Sequence, residues 1–272
     1  MKRLNDIKGN NRIYYHLFIH MDVPKRIFIV PYRNREKDKK KFLERMNDYL
    51  SDSTDWEIYF SHQCDNRPFN RGAVKNIGFL AMKEKYPNDY KDITFIFHDV
   101  DNTPVHNGSI HYTTTDGVVS HFYGFEFTLG GMFAIKGKDF ETTGGYPNFW
   151  GWGFEDNLIQ DRCTKAGFTI DRSCFFKIND KKNIDHSFDG WTRTLSKRDQ
   201  YVYSMETPDD MHKLKDVKWN IEGQMINITS FSPEMRLEDQ EFYKRDIRHG
   251  TRVHAKPGYF RKNWNMGNFM KR

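Results

Sequence analysis

The sequence has few cysteines and no long apolar run. Its 272 residues contain three cysteines, Cys64, Cys163 and Cys174, whose odd number and spacing argue against a disulfide scaffold or a cysteine zinc site. No apolar run reaches the roughly 18–20 residues that a membrane-crossing helix needs, and none follows Lys2 and Arg3 as in a secretory signal. We therefore expect a cytoplasmic protein with reduced thiols and no transmembrane segment.

Acidic residues are in the minority. The 43 lysines and arginines exceed the 37 aspartates and glutamates, the net charge is +6 and the pI is about 9.0. Such a balance suits anionic partners, namely nucleic acid, an acidic surface or a substrate that carries a diphosphate. Much of the excess lies in 37–41 and 244–272, and because no nucleic-acid motif is present, a solvated basic surface is favoured and no nucleic-acid partner is expected.

Aromatic residues make up 16 % of the chain. We expect most of the phenylalanines to fill the core. Trp150, Trp152 and Trp191 stand beside glycines and charged residues, which makes each of them a candidate for lining a site.

The first hundred residues predict alternating strands and helices. Short apolar runs predict strands, and apolar residues at helical spacing predict helices. The predicted elements are a strand over 26–30 stopped by Pro31, a helix over 37–50, a strand over 56–60, a helix over 70–86 and a strand over 93–97. This order indicates a parallel sheet covered by helices, in which ligands bind outside the carboxyl ends of the strands.

The remaining sequence is less regular. It predicts strands around Gly130-Gly131 within 124–135, a short helix over 138–142, and a helix over 156–166 that Gly167 closes. The polar stretch 179–216 is interpreted as a long mobile loop plus a helix. Without repeats or low-complexity linkers, we expect an N-terminal extension over 1–25, one domain over 26–230 and a basic C-terminal extension over 231–272.

Two acidic residues follow the third predicted strand. In Asp99-Val100-Asp101 one carboxylate could hold a metal and the other a sugar or ribose hydroxyl. Mg²⁺ and Mn²⁺ prefer such oxygen ligands and often bridge phosphates. His186 is the candidate nitrogen ligand, and Asn183 or Asp185 could supply a third. The alternative for a lone histidine is an ordinary surface or core residue.

Arginines follow the first predicted strand and begin the second predicted helix. Arg33 and Arg35 could hold a diphosphate or a uracil edge. Phe69 and Arg71 precede and begin a helix, where anions are favoured. For any single arginine, surface charge is the alternative.

Residues 148–157 combine two indoles with two carboxylates. Indole faces stack on the apolar faces of sugar rings, and Glu155 and Asp156 could accept hydroxyl hydrogen bonds and remove a proton. The alternative is an acidic first turn that the helix dipole stabilises. An aspartate suits a hydroxyl rather than a phosphate, so we expect a sugar acceptor here.

Five ordered motifs between 27 and 220 resemble the β-1,4-galactosyltransferases, glycosyltransferase family 7. They are Val30-Pro31-Tyr32-Arg33-Asn34-Arg35, the segment 69–79 beginning Phe69-Asn70-Arg71, His98-Asp99-Val100-Asp101, Gly130-Gly131 with Gly145-Tyr146-Pro147-Asn148, and Trp150-Gly151-Trp152-Gly153-Phe154-Glu155-Asp156. The resemblance implies an α/β fold of the GT-A type, Mn²⁺ dependence, a UDP-sugar donor, a saccharide acceptor and inversion at the anomeric carbon.

The resemblance also implies a role for each matching residue. Asp101 and His186 would bind Mn²⁺, Asp156 would be the general base, and Glu155 would hold the acceptor. Trp152 would lie on a small loop that closes over the donor and contacts the acceptor, and the stretch after His186 would be a longer loop that orders on donor binding. The donor site would be lined by Pro31, Arg33, Arg35, Phe69, Arg71, Asp99, Val100, Gly131 and Trp152.

The sequence departs from the family at several positions. The family's further metal ligand is a Met three residues before the histidine or a His two residues before it, but Asn183 and Ile184 stand there. Thr128 replaces a family tyrosine, and a smaller residue there leaves room for an N-acetyl group, so both UDP-galactose and UDP-GalNAc are open. The family's membrane anchor and disulfides are missing, which implies a bacterial or viral host-cell cytoplasm. Residues 197–200 resemble the branch that acts on xylose.

Two other functions stay open at this stage. One is a carbohydrate-binding relative of the same fold that has lost catalysis, against which the intact Glu155-Asp156 pair argues. The other is a basic nucleic-acid-binding protein, suggested by the charge of the chain.

Overall fold

The computed structural model describes residues 23–187, 190–199, 209–246 and 248. Its strands and helices are β1 (Arg26–Tyr32), α1 (Glu36–Tyr49), β2 (Trp56–Gln63), α2 (Arg71–Lys85), β3 (Thr94–His98), β4 (Asn102–Pro104), β5 (Val118–Gly124), β6 (Met132–Lys136), α3 (Gly137–Thr142), α4 (Glu155–Lys165), β7 (Thr169–Asp171), β8 (Phe176–Lys177), β9 (Ile184–His186), β10 (Thr192–Ser196), β11 (Lys215–Glu222), β12 (Met225–Ser232) and β13 (Phe242–Asp246). Short 3-10 helices lie at Met211–Lys213 and Leu237–Asp239.

In the described part of the chain, nine strands form one mixed sheet. Its order is β11-β12-β2-β1-β3-β6-β5-β7, with β8 also paired to β5. Strands β12, β2, β1 and β3 run parallel to one another, whereas β6 is antiparallel to both β3 and β5. The predicted alternation of strand and helix from β1 to β3 is confirmed, and so is the α/β class.

Helices cover both faces of the sheet. The side chains of a strand alternate between faces, and in β1 Ile27 and Ile29 pack in one buried cluster with α2, while Phe28 and Val30 pack in a second cluster with α1. Parallel strands that are buried on both faces have continuous apolar sequence rather than alternation. This is why the apolar runs of β1 and β3 could be recognised as strands.

Strand β1 extends beyond its predicted end. Pro31 was expected to stop it, yet the strand runs to Tyr32 and Pro31 lies in register with Ser61 of β2. Pairing with β3 ends at Ile29. The missing N–H of the proline therefore costs no hydrogen bond on the β3 side, a position at which a strand tolerates proline.

Strands lie on either side of the glycine pair, as predicted, and the pair itself is in the turn between them. Strand β5 ends at Gly124 and β6 begins at Met132, with a turn between them. Gly131 has φ +74° and a Cβ there would overlap the Tyr123 carbonyl oxygen. The pair thus allows the chain to turn back closely on β5, which a larger residue would prevent.

The stretch 179–216 contains more strand than predicted. Strand β9 pairs with β4, β10 pairs with β13, and β11 begins at Lys215. The partners β4 and β13 are distant in sequence, so no local pattern announces these pairs. Residues 188–189 and 200–208, where much of the predicted loop and helix falls, lie outside the described residues, as do 1–22, 247 and 249–272 of the predicted extensions.

The described residues after 230 pack on the predicted domain. Strand β12 continues to Ser232, and Phe231 is buried against Trp150 with ring centroids 5.5 Å apart. Strand β13 adds pairing to β10. The three-part division of the chain stays a prediction, and the contacts of Phe231 and β13 place the described part of 231–246 against 26–230.

Candidate active site

A cavity of about 480 Å³ opens at the carboxyl ends of β1 and β3. The loops after these strands, the starts of α2 and α4, and the turn that contains Gly131 all reach it. Most of the predicted site residues line this cavity, and the exceptions are Asn183, Asp185, Trp150 and Trp191. The predicted residues on its wall are Pro31, Arg33, Arg35, Phe69, Arg71, Asp99, Val100, Asp101, Gly131, Trp152, Glu155, Asp156 and His186.

Arg71 joins the two predicted acidic sites at the floor of the cavity. Asn70 caps α2 by accepting from Ala73 N at 2.9 Å, which starts the helix at Arg71. The Arg71 guanidinium then donates to Asp99 at 2.5 Å and to Glu155 at 2.8 Å. Carboxylates more than fifty residues apart in sequence are thus held by one cation.

The same guanidinium holds Asp156. Arg71 Nη1 lies 2.7 Å from Oδ1 and 2.8 Å from Oδ2. Burial alone would lower the pKa of Arg71, but attraction to Asp156, Asp99 and Glu155 outweighs it and holds the pKa well above its ordinary value. The cation is therefore permanent and fixes the orientation of the carboxylates around it.

Glu155 is a buried carboxylate with one atom unpaired. The residue is 4 % exposed, its Oε1 accepts from Arg71, and its Oε2 has no hydrogen-bond partner within the described residues. Burial, reinforced by neighbouring Asp156, raises its pKa. The residue before it, Phe154, has φ +71°, and this left-handed turn directs the first residues of α4 at the cavity.

Lys75 is a residue near the site that the sequence analysis missed. It is 1 % exposed, and its Nζ lies 3.3 Å from the Tyr146 hydroxyl and 3.5 Å from Asp156 Oδ1. Burial and the charge of Arg71 lower its pKa. The signal was its position four residues after Arg71 in an otherwise apolar segment, because residues four apart share one helix face.

Strands β4 and β9 contribute Asn102 and His186 to the cavity wall. They pair antiparallel with Asn102 opposite His186 and Thr103 opposite Asp185. Directly opposed residues share a face and successive residues alternate. His186 and Asn102 line the cavity, whereas the Asp185 carboxylate lies 2.7 Å from Lys41 Nζ. Asp185 therefore points away from the predicted metal position.

The other candidate ligand is also turned away. The Asn183 amide donates to Asp180 at 2.9 Å and does not line the cavity. Asp101 does, and its backbone oxygen accepts from Ser187 N at 2.8 Å, which holds the Asp101 loop beside the end of β9. Tyr123 supports His186, with its hydroxyl 3.2 Å from Nδ1, as partners of metal-binding histidines do.

The donor set suits Mn²⁺ in chemistry but is small. Asp101 supplies a carboxylate and His186 an imidazole, both of which bind first-row divalent metals. Within the described residues no group of three or more His, Cys, Asp and Glu side chains is arranged to hold a metal. A third ligand from the described ranges would have to be of another residue type.

Cationic and aromatic groups form the part of the cavity wall that follows β1. The Arg33 guanidinium stacks 5.1 Å from the centre of the Phe69 ring, and burial lowers the pKa of Arg33. Arg35 donates to Asp38 at 2.6 Å and to Asp101 at 3.3 Å. A flat guanidinium–ring pair next to a second arginine can receive a base and a diphosphate.

The three candidate tryptophans have different positions. Trp150 is 2 % exposed and donates to Met235 O at 2.9 Å, so it is a core residue. Trp152 lines the cavity under the Arg193 guanidinium, and its backbone N donates to Thr194 O at 2.8 Å. Trp191 packs against Arg248 rather than on the described wall of the cavity.

No helix in the described ranges has the length and apolar character to cross a membrane. The three cysteines lie in the described part of the chain and are free.

Comparisons with known proteins agree with this arrangement. Family models described as the N-terminal region of glycosyl transferase group 7 and the N-terminal domain of galactosyltransferase match residues 21–114 and 119–187, together more than half of the chain. Human β-1,4-galactosyltransferase 1 is 34% identical over 155 residues, which cover 53% of this chain and 38% of the relative. The Cricetulus griseus β-1,4-galactosyltransferase 4 is 35% identical over 156 residues, covering 53% and 44%.

Solved structures extend the comparison to the fold. The catalytic domain of Drosophila β-1,4-galactosyltransferase 7 with xylobiose has a TM-score of 0.54 at 19% identity, covering 76% of this chain and 94% of that chain. A mutant of that enzyme with manganese, UDP-Gal and xylobiose has a TM-score of 0.56 at 20% identity, with the same coverage. The chain spans less than half the length of the curated relatives it matches. Its fold is of the GT-A type, and the chain belongs to glycosyltransferase family 7.

Proposed function

We propose that this protein is a Mn²⁺-dependent, inverting glycosyltransferase that moves galactose or N-acetylgalactosamine from a UDP-sugar to a hydroxyl of a saccharide. The observation that carries the proposal is that the paired carboxylates Glu155 and Asp156 line the same cavity as Asp101 and His186. Transfer from a sugar nucleotide needs both groups of residues, because one must bind the charged diphosphate of the donor and the other the neutral hydroxyl of the acceptor.

The donor would lie along the arginine side of the cavity. Arg33 and Phe69 would receive the uracil, and Arg35 the diphosphate, through the guanidinium fork. Asp99 and Arg71 would contact the ribose or the donor sugar, beside Pro31, Val100 and Gly131. Asp101 and His186 would hold Mn²⁺, which when bound neutralises charge on the departing diphosphate.

The acceptor would lie at the start of α4. The unpaired Oε2 of Glu155 would accept a hydrogen bond from an acceptor hydroxyl. Asp156 would take the proton of the attacking hydroxyl as the new glycosidic bond forms and the bond to UDP breaks, with the electron pair leaving on UDP. Trp152 would cover the sugar and exclude water, which would otherwise hydrolyse the donor.

The space beside Thr128 on the cavity wall would determine which donor sugar fits. This residue is buried and lines the cavity, and its short side chain supports a donor that carries a 2-N-acetyl group as well as galactose. On the acceptor side, the Drosophila structural neighbour was crystallised with xylobiose. Xylosides therefore belong in the acceptor panel, together with glucosides and N-acetylglucosaminides.

The testing experiment measures UDP release from UDP-galactose, UDP-GalNAc and UDP-glucose with Mn²⁺, with and without each acceptor. We expect acceptor-stimulated release with one of the first two donors, and no release when EDTA replaces Mn²⁺. An Asp156→Asn variant is the matched blank. If no donor gives more UDP than this blank while UDP still binds, the protein is a binding relative and the proposed transfer is wrong.

The compartment is part of the same proposal. Three free thiols and no membrane-spanning helix in the described ranges support a reducing, cytoplasmic location.

A further inference from the structure

Asn102 has a buried polar atom that the fold leaves without a partner. The residue is 3 % exposed, and its side-chain oxygen Oδ1 has no hydrogen-bond partner within the described residues. Buried amide oxygens are almost always hydrogen-bonded, because losing water without a replacement costs free energy. An unpaired amide oxygen in a residue that lines a cavity therefore indicates a bound group that carries positive charge or a proton donor.

The position of Asn102 beside the two proposed metal ligands indicates that the bound group is the metal ion. Asn102 directly follows Asp101 and lies opposite His186 in the β4–β9 pair. Opposed residues of an antiparallel pair have Cβ atoms about 4.5–5.5 Å apart on the same face. All three residues line the cavity: Asn102 and His186 belong to the paired strands β4 and β9, and Asp101 lies in the turn directly before β4. Carboxylate and carbonyl oxygens suit Mn²⁺.

We propose that the side-chain carbonyl of Asn102 is the third protein ligand of the Mn²⁺ site, with Asp101 and His186. The inference rests on the proposed function, because that function requires the metal. It replaces the two candidates that the sequence suggested, since Asn183 donates to Asp180 and Asp185 pairs with Lys41. The cation would also satisfy the otherwise unpaired Oδ1.

The test is a Mn²⁺ titration at saturating UDP that follows free Mn²⁺ by electron paramagnetic resonance. Asn102→Leu keeps the size of the side chain and removes the ligand. Even outer partners of metal ligands change affinity by about 10–100-fold, so we expect this variant to bind Mn²⁺ about tenfold or more weakly. Asn102→Asp keeps an oxygen there and should bind at least as tightly as the unaltered protein.

Matched controls separate ligation from general damage. Asn183→Ala removes an amide three residues before His186, outside the cavity, and should leave Mn²⁺ affinity unchanged. Asp101→Ala should abolish binding. The metal-free Asn102→Leu protein should melt no lower than the unaltered protein, because the variant removes an unpaired polar atom.

The outcomes are distinguishable. Unchanged Mn²⁺ affinity in Asn102→Leu, with binding lost in Asp101→Ala, overturns the inference and leaves the proposed function standing. The inference is also overturned if Asn102→Leu loses UDP affinity to the same extent with EDTA as with Mn²⁺, since the carbonyl would then contact the nucleotide rather than the metal. If the unaltered protein binds no Mn²⁺, both the inference and the metal dependence of the proposed function are wrong.

Discussion

Arg71 and Asp156 form a two-point contact, with Nη1 2.7 Å and 2.8 Å from the two carboxylate oxygens. The contact joins the first turn of α2 to the first turn of α4. It holds the proposed base against the floor of the cavity, while Glu155 and Asp99 share the same guanidinium. The geometry of the proposed acceptor end therefore depends on a cation that comes from a distant motif.

Replacing Asp156 by Asn should remove the proton acceptor and leave the nucleotide side intact. We expect turnover to fall by about 10² or more, the usual scale of general base catalysis, with UDP affinity unchanged in calorimetry. Asp161→Asn, on the same helix but off the cavity wall, is the matched control and should keep full turnover. Near-normal transfer by Asp156→Asn would remove Asp156 from the role of base.

Replacing Arg71 by Met should destabilise the fold as well as the site. Three carboxylates would lose their common cation, and breaking a buried pair in this way typically costs about 3–5 kcal/mol. Urea unfolding measures the loss. The double variant Arg71→Met/Glu155→Gln should recover part of it, because it removes one of the carboxylates left unpaired. Equal stability of the single and double variants would contradict this account of the cluster.

Replacing Gly72 by Ala should disrupt the packing of α2 on the loop before α4. A Cβ at this position would overlap the backbone oxygen of Pro147, and backbone on both sides cannot move cheaply. We expect loss of soluble protein or a large drop in melting temperature. Gly108→Ala is the control, because its Cβ would meet nothing within 4 Å and only its φ of +75° is unfavourable. A milder effect at Gly72 than at Gly108 would refute the packing argument.

Asp199 should make stability depend on pH. The residue is 1 % exposed, one oxygen accepts from Gly151 N at 2.7 Å, and burial raises its pKa to about 7. Between its ordinary value near 4 and about 7, the folded state binds more protons than the unfolded state. Its contribution to stability therefore falls as pH rises through this range.

The Asp199→Asn variant tests this sign. An amide oxygen can still accept from Gly151 N, but it does not titrate. We expect equal unfolding free energies near pH 4 and a more stable variant at pH 8, by at most about 4 kcal/mol. His98 and His121, whose pKa values burial lowers to about 4, are common to both proteins and cancel in the difference. A pH-independent difference would show that Asp199 does not carry the effect.

Much of the fold was predictable because its signals are local. The apolar runs of β1 and β3 indicate strands buried on both faces, and the spacing of Phe42 and Met46 indicates the buried face of α1. Strands β9 and β10 were missed for the complementary reason. They are short and polar, and each is stabilised by a partner strand that lies far away in sequence.

Residue type alone did not distinguish neighbouring residues of which one lines the cavity and the other does not. Trp150 and Trp152 share one motif, yet the first is in the core and the second on the cavity wall. Asp185 and His186 are adjacent, and the alternation of β9 sends them to opposite faces. Lys75 and Asn102 were not predicted as site residues, because only their burial beside charged groups marks them as such.

The sequence by itself determined the family, the α/β class and about half of the residues on the cavity wall, because those features reside in short motifs and local apolar patterns. Only the tertiary structure decided which carboxylates share Arg71, which tryptophan reaches the cavity and which face of β9 carries the proposed metal ligand. These depend on strand register and on helix starts brought together from distant parts of the chain, and no local pattern encodes such distances.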